Sequence, residues 1–137
     1  MTICAIRRWP ACCLALTLAG LFLFAPAASA REARCHVDYG GEESVHRVRP
    51  AGEPYTVPAV PVGTLFLFRA VLETEPTALA ALKVYVYADL DRGPVIVHQG
   101  EYAWPPTAQS RHGFTGRQRA YEPLRDGELA YWCEASE

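Results

Sequence analysis

Two cysteines, Cys35 and Cys133, constrain this chain more than any other feature. Each lies inside a run whose residues alternate with the period of a β-strand. Cys35-His36-Val37-Asp38-Tyr39 puts Cys35, Val37 and Tyr39 on one face, and Asp126-Gly127-Glu128-Leu129-Ala130-Tyr131-Trp132-Cys133 ends on the second cysteine. Two cysteines in alternating strands of an exported chain read as a structural disulfide. Two free thiols or a redox pair are the competing readings, and a redox pair usually shows Cys-x-x-Cys spacing, which this pair lacks. A bridge between Cys35 and Cys133 ties the first strand of the folded domain to its last.

Export is read from residues 1–30. Arg7 and Arg8 precede an apolar run from Ala11 to Ala25, Pro26 breaks it, and Ala28-Ser29-Ala30 forms a small-x-small cleavage site, with Arg31 as the first residue after the cut. The run is shorter than the roughly 20 apolar residues needed to span a bilayer. The other three cysteines, Cys4, Cys12 and Cys13, leave with this leader, and Cys12 and Cys13 sit at the front of the apolar run, whereas a lipid-modified cysteine would follow it. Loss of Arg7 and Arg8 leaves 11 Lys+Arg against 15 Asp+Glu, a formal charge of about −4 on residues 31–137. Such a mildly acidic chain has no basic stripe for nucleic acid or anionic lipid, and no second apolar stretch approaches membrane length. Twelve of the thirteen basic residues are Arg and no Asn occurs, so there is no N-glycosylation sequon. The Arg bias suits a GC-rich bacterial genome, which makes the expected destination the periplasm or the medium.

The remaining 107 residues suffice for one domain. Thr64 to Leu72 is the strongest strand and is apolar on both faces, so it is expected to be central and covered on both sides. Ser44 to Arg49 is a lesser strand. Pro58 and Pro61 place 55–62 on a sheet edge or outside the sheet. Lys83 to Ala88 alternates strictly, Asp89 to Pro94 forms a turn, and Pro94 to Gln99 runs back, predicting a hairpin over 83–98 that Glu101 to Trp104 extends. One helical crossover of a turn or two is predicted near 76–82, held by Leu79 and Leu82. Pro105 to Gly113 is the longest loop, 113–121 is a further strand, and Glu134 to Glu137 is expected to fray. Seven or eight short strands with a turn signal about every ten residues predict an all-β fold, a single β-sandwich.

Tyr131-Trp132-Cys133 resembles the Tyr-x-Cys of immunoglobulin domains, where a tyrosine stands two residues before the second cysteine. The resemblance covers only those residues and implies an immunoglobulin-like sandwich architecture. The chain departs from the pattern in two places. Four residues follow Cys133 where an immunoglobulin domain has another strand, and Gly127 stands where an aspartate usually precedes the tyrosine by four.

No catalytic residues are assigned. Ser44, Ser110 and Ser136 lack a nucleophile-elbow context, and Asp89 and Asp91 lack the other positions of a calcium loop. Metal candidates are His36, His46, His98 and His112, none of them at short ligand spacing, so no metal or other cofactor is expected. The candidate binding residues are Tyr102, Trp104, Arg111, His112 and Phe114, which cluster around the long loop and are of the types enriched at binding hot spots. The competing reading has Trp104 and Phe114 cap the core. The sequence thus predicts an exported, non-enzymatic binding or accessory module for a protein or carbohydrate partner. A periplasmic metal-binding protein is the alternative and a small hydrolase ranks last.

Overall fold

The computed structural model describes residues 32–137. The leader and its Ala30–Arg31 cleavage site lie outside the described residues. Eight strands form in chain order: β1 (Glu32–Tyr39), β2 (Glu42–Val48), β3 (Val60–Val62), β4 (Phe66–Glu73), β5 (Ala81–Ala88), β6 (Val95–Ala103), β7 (Gln118–Glu122) and β8 (Gly127–Ser136). They make two four-stranded sheets, β2-β1-β8-β7 and β3-β4-β5-β6, with every strand pair antiparallel.

Alternation decides what each sheet buries. Ala33, Cys35 and Val37 of β1 and Leu129, Tyr131 and Cys133 of β8 face Phe66, Phe68 and Leu72 of β4 and Leu82, Val84 and Val86 of β5. Phe68 meets Tyr131 edge-on across the layer, with ring centroids 5.7 Å apart. Each of the valines, leucines and phenylalanines among them, fully buried, contributes about 1.5–3 kcal/mol. β4 is internal to its sheet, as expected, but it is not covered on both sides: only two sheets stack, and on its outer face Leu67, Arg69 and Glu73 are half-buried. Its inner face carries the phenylalanines and its outer face buries Val71. Arg69, also on the outer face, donates to the carbonyls of Pro54 and Val57 at 2.6 and 2.8 Å and so straps the 54–57 segment to the strand.

Cys35 and Cys133 are bonded, with Cα atoms 4.1 Å apart. They are directly opposed residues of neighbouring strands, so the bridge staples β1 to β8 within one sheet. In an immunoglobulin domain the bridge joins the two sheets. Here no covalent bond joins the two sheets among the described residues; side-chain packing and a few hydrogen bonds hold them together, and the disulfide fixes a register.

Three sequence expectations need correction. The predicted helical crossover is a single 3-10 turn at Thr77–Leu79. Leu79 is 71% exposed rather than holding anything, while Leu82 belongs to β5 and points into the core. Pro76 and the alanines do favour helix locally, but Ala81 onward pairs with β4, and that register wins. The strand expected over 113–121 begins only at Gln118. The expected fraying after Cys133 does not occur: β8 continues to Ser136 because Glu32 pairs with it.

One end of the sandwich is closed by a buried carboxylate. Glu122, 1% exposed, accepts hydrogen bonds from the Leu124 and Arg125 amides and from the Arg125 guanidinium. Arg125 in turn donates to the Asp89 carbonyl at 3.1 Å, tying the β7–β8 turn to the β5–β6 turn. Burial by itself would raise the Glu122 carboxyl. The hydrogen bonds and the adjacent guanidinium outweigh it and hold the group below the usual carboxylate range.

Candidate functional site

The long connection between β6 and β7 is organised by the free side of β8. β7 pairs with β8 only as far as Tyr131, which leaves the second half of β8, residues 132–136, without a strand neighbour on that side. The loop takes that place. Phe114 N donates to the Cys133 carbonyl at 3.0 Å, Cys133 N donates to Thr115 Oγ1 at 2.8 Å, and the Gln109 amide bonds both backbone groups of Ala135. Gly113 is required here. Its φ of +59° is left-handed, and a Cβ would collide with the Cys133 carbonyl.

This anchoring divides the sequence-predicted residues into two groups. Trp104 is 7% exposed and packs edge-on against Phe114, with ring centroids 5.6 Å apart; Phe114 also meets Tyr102 at 6.3 Å. Trp104 and Phe114 pack on the core where the competing reading of the sequence put them, and Tyr102, which that reading did not include, joins them. Arg111 and His112 stay outside, Arg111 exposed and His112 half-buried. Tyr102 has a second tie inward. Its hydroxyl lies 3.0 Å from that of Tyr131, which lies 2.8 Å from His98 Nε2. With the imidazole neutral, Tyr131 donates to His98 and accepts from Tyr102, and every member of the chain is satisfied. Burial favours this neutral state, pushing both phenols up and His98 down. Tyr131 is the tyrosine of the Tyr-x-Cys triplet, but its hydroxyl crosses to the opposite sheet.

The four histidines occupy separate surroundings. His98 belongs to the tyrosine chain. His46 packs on Phe68 and accepts or donates at 3.0 Å to Ser44 Oγ, and burial lowers its pKa. His36 and His112 touch the same indole from different directions. Among the described residues no three His, Cys, Asp or Glu side chains are grouped to hold a metal ion. The Ser44–His46 contact places a hydroxyl beside an imidazole on one strand, but no carboxylate hydrogen-bonds that imidazole among the described residues, so the orienting member of a catalytic triad is missing.

A surface that sequence reasoning missed lies on the outer face of the β1–β8 pair. His36 stacks flat on Trp132, with centroids 3.8 Å apart and planes 4° from parallel. Its Nδ1 is 3.2 Å from Glu43 and its Nε2 is 3.3 Å from Glu134, so both ring nitrogens are engaged. His112 closes on the other side of Trp132, edge-on at 5.9 Å. The signal was present in the sequence. Once Cys35 and Cys133 are taken as directly opposed, the antiparallel register makes His36 and Trp132 opposed too, on the other face.

A second surface lies outside β4 and β5, where Arg69 sits 5.4 Å from the Tyr85 ring centroid beside a groove of about 250 Å³ that Tyr55, Glu73 and Lys83 also line. Arg69 is committed there to the carbonyls of Pro54 and Val57. Among the described residues no helix is long and apolar enough to cross a membrane. Scans against family models, curated proteins and solved structures find no match to this chain.

Proposed function

We propose that this chain is a small exported, non-enzymatic recognition or accessory module, periplasmic or secreted, that binds a protein or carbohydrate partner. The binding surface is the outer face of β1 and β8 with the adjoining tip of the long loop: His36, Trp132, His112 and Arg111. The observation that carries this reading is the ordered row His36–Trp132–His112, which lies outside the core and contributes nothing to the packing between the sheets. Tryptophan with arginine is the commonest hot-spot composition, and rings already held by stacking lose little freedom on binding. Export is supported by the leader pattern of residues 1–30 and by the disulfide, which persists in an oxidising compartment.

The test is a thermal-shift screen of the oxidised protein against oligosaccharides and peptides, with capture of partners from a periplasmic extract, since a ligand specific for the native state raises the midpoint. A response abolished by Trp132→Ala and by Arg111→Ala, in variants that keep the wild-type circular dichroism, is the expected result. A response that survives both substitutions refutes this surface. A zinc- or copper-induced shift lost in His98→Ala would favour the metal-binding alternative instead.

A further inference from the structure

The four sheet edges are β2, β7, β3 and β6, and three of them carry the usual defences against pairing with another chain. β3 is three residues long and contains Pro61, β7 is five residues long, and β2 exposes Glu42, Glu43 and Arg47. β6 differs. It runs nine residues, contains no Pro, Lys or Arg, and has Glu101 as its one charge; its one bulge, at Val97, leaves 98–103 as a regular edge. Trp104 N donates to the Ala80 carbonyl, which fixes the parity of the ladder. His98, Gly100 and Tyr102 direct their backbone groups towards β5, while Gln99, Glu101 and Ala103 direct theirs away from it. All three side chains are exposed, and no hydrogen bond reaches those outward backbone groups among the described residues.

We propose that β6 pairs antiparallel with β6 of a second copy of this chain about a two-fold axis at Gly100, joining two four-stranded sheets into one of eight. The register follows from the free groups. A two-fold axis at Gly100 sets Gln99 opposite Glu101 of the partner, and the reverse, so that the outward N–H and C=O groups of both residues are satisfied in two symmetric pairs. The side chains match as well, because a Gln amide donates to a carboxylate. Lys83, opposed to Glu101 across β5 and β6, acts on it through charge alone and leaves its oxygens open to the Gln amide, since both oxygens of Glu73 hold the ammonium at 3.0 and 3.1 Å. An axis at Glu101 would set two carboxylates face to face. An axis at Gln99 would run the pairing into the register shift between Val86 and Tyr87, where Val97 is the extra residue of β6. Gly100 has no side chain to obstruct close approach, and its inner face is covered by Tyr102 of the same strand.

Sedimentation equilibrium of the purified, disulfide-bonded protein up to millimolar concentration tests this. The mass should rise from monomer towards dimer with concentration. Gln99→Lys places a cation against Glu101 of the partner twice and should tighten the dimer several-fold, whereas Gln99→Glu should weaken it by a similar factor. The double variant Gln99→Glu, Glu101→Lys should restore it. Gln99→Pro removes one outward N–H without touching a bond to β5 and should give a monomer with native circular dichroism. A wild-type protein that stays monomeric at millimolar concentration overturns the proposal, even if β6 variants affect capture of some other protein. So does a dimer that responds alike to Gln99→Lys and Gln99→Glu, because it would use another surface or register.

Discussion

Removing the Cys35–Cys133 bridge separates two ways in which a cross-link can stabilise. The two cysteines are 98 residues apart in sequence, so in the chain-entropy account the bridge withholds about 4.7 kcal/mol of loop entropy from the unfolded state. In the folded state it connects residues already opposed in a ladder that runs from Glu32–Ser136 to Tyr39–Leu129. The native sheet therefore has little reason to rearrange when the bridge is cut, and nearly all the effect should lie in the unfolded ensemble. A domain of this size gains about 2.1 cal/mol/K of entropy per residue on unfolding, so the midpoint should fall by on the order of 20 °C. Stability totals for such domains are about 5–15 kcal/mol, so the loss is a large share of the whole.

The assay is paired calorimetry and urea denaturation of the oxidised protein, the reduced protein and the Cys35→Ala, Cys133→Ala double variant. The two unbridged forms should lose similar amounts, although reduction leaves both sulfurs in place and the alanines do not, because both release the same loop. Their urea slopes should steepen as the released chain expands. A double variant within about 1 kcal/mol of the oxidised protein, or a reduced form as stable as the oxidised one, would refute the loop-entropy reasoning.

Trp104→Ala should destabilise by about 3–5 kcal/mol in urea titration, as expected for emptying a core site, whereas a purely surface role would leave stability unchanged. Tyr131→Phe leaves His98 Nε2 and the Tyr102 hydroxyl without their shared partner and should cost about 1–2 kcal/mol, with the His98 titration moving upward by NMR because its neutral form loses a donor. Burial lowers His46 and His98 in the folded state, so the unfolded chain takes up protons first on acidification. Their stabilisation is complete above the unfolded value near 6.5 and should be lost as pH falls through the folded values. Glu122 has the same sign further down: its contribution is complete above the ordinary carboxylate value and lost below it, which gives a second decline in a pH series of melts. N-terminal sequencing of the exported protein should begin at Arg31 if residues 1–30 are removed as a leader.

Local pattern determined much of this protein. Period-two alternation is a property of each strand alone, so β1, β4, β5 and β8 were legible from residue order, with the buried faces of β1 and β5; β4 is apolar on both faces, and only the second sheet decided which one enters the core. Proline chemistry located the β3 edge in the same way, because a missing N–H excludes a strand interior regardless of context. Two cysteines within residues 31–137 pointed to one bridge. Alternation states which face a residue occupies, however, and not which strand lies beside it. That the bridge staples neighbours within a sheet, and that His36 therefore lies on Trp132, followed only when β1 met β8 in register. The fate of the long loop was a tertiary matter for a related reason. Past Pro105 there is no period to follow, and whether Trp104 faces water or the core depends on Gly113, Thr115 and Gln109 finding the uncovered end of β8. The helical leaning of 76–82 was overruled by the β4–β5 ladder, since a one-turn helix has no cooperativity to set against eight paired residues. Residue order alone determined these strands and, in β1 and β5, their buried faces. Only the packed sheets decided which aromatic rings were left outside the core, because that depends on contacts between residues far apart in the chain.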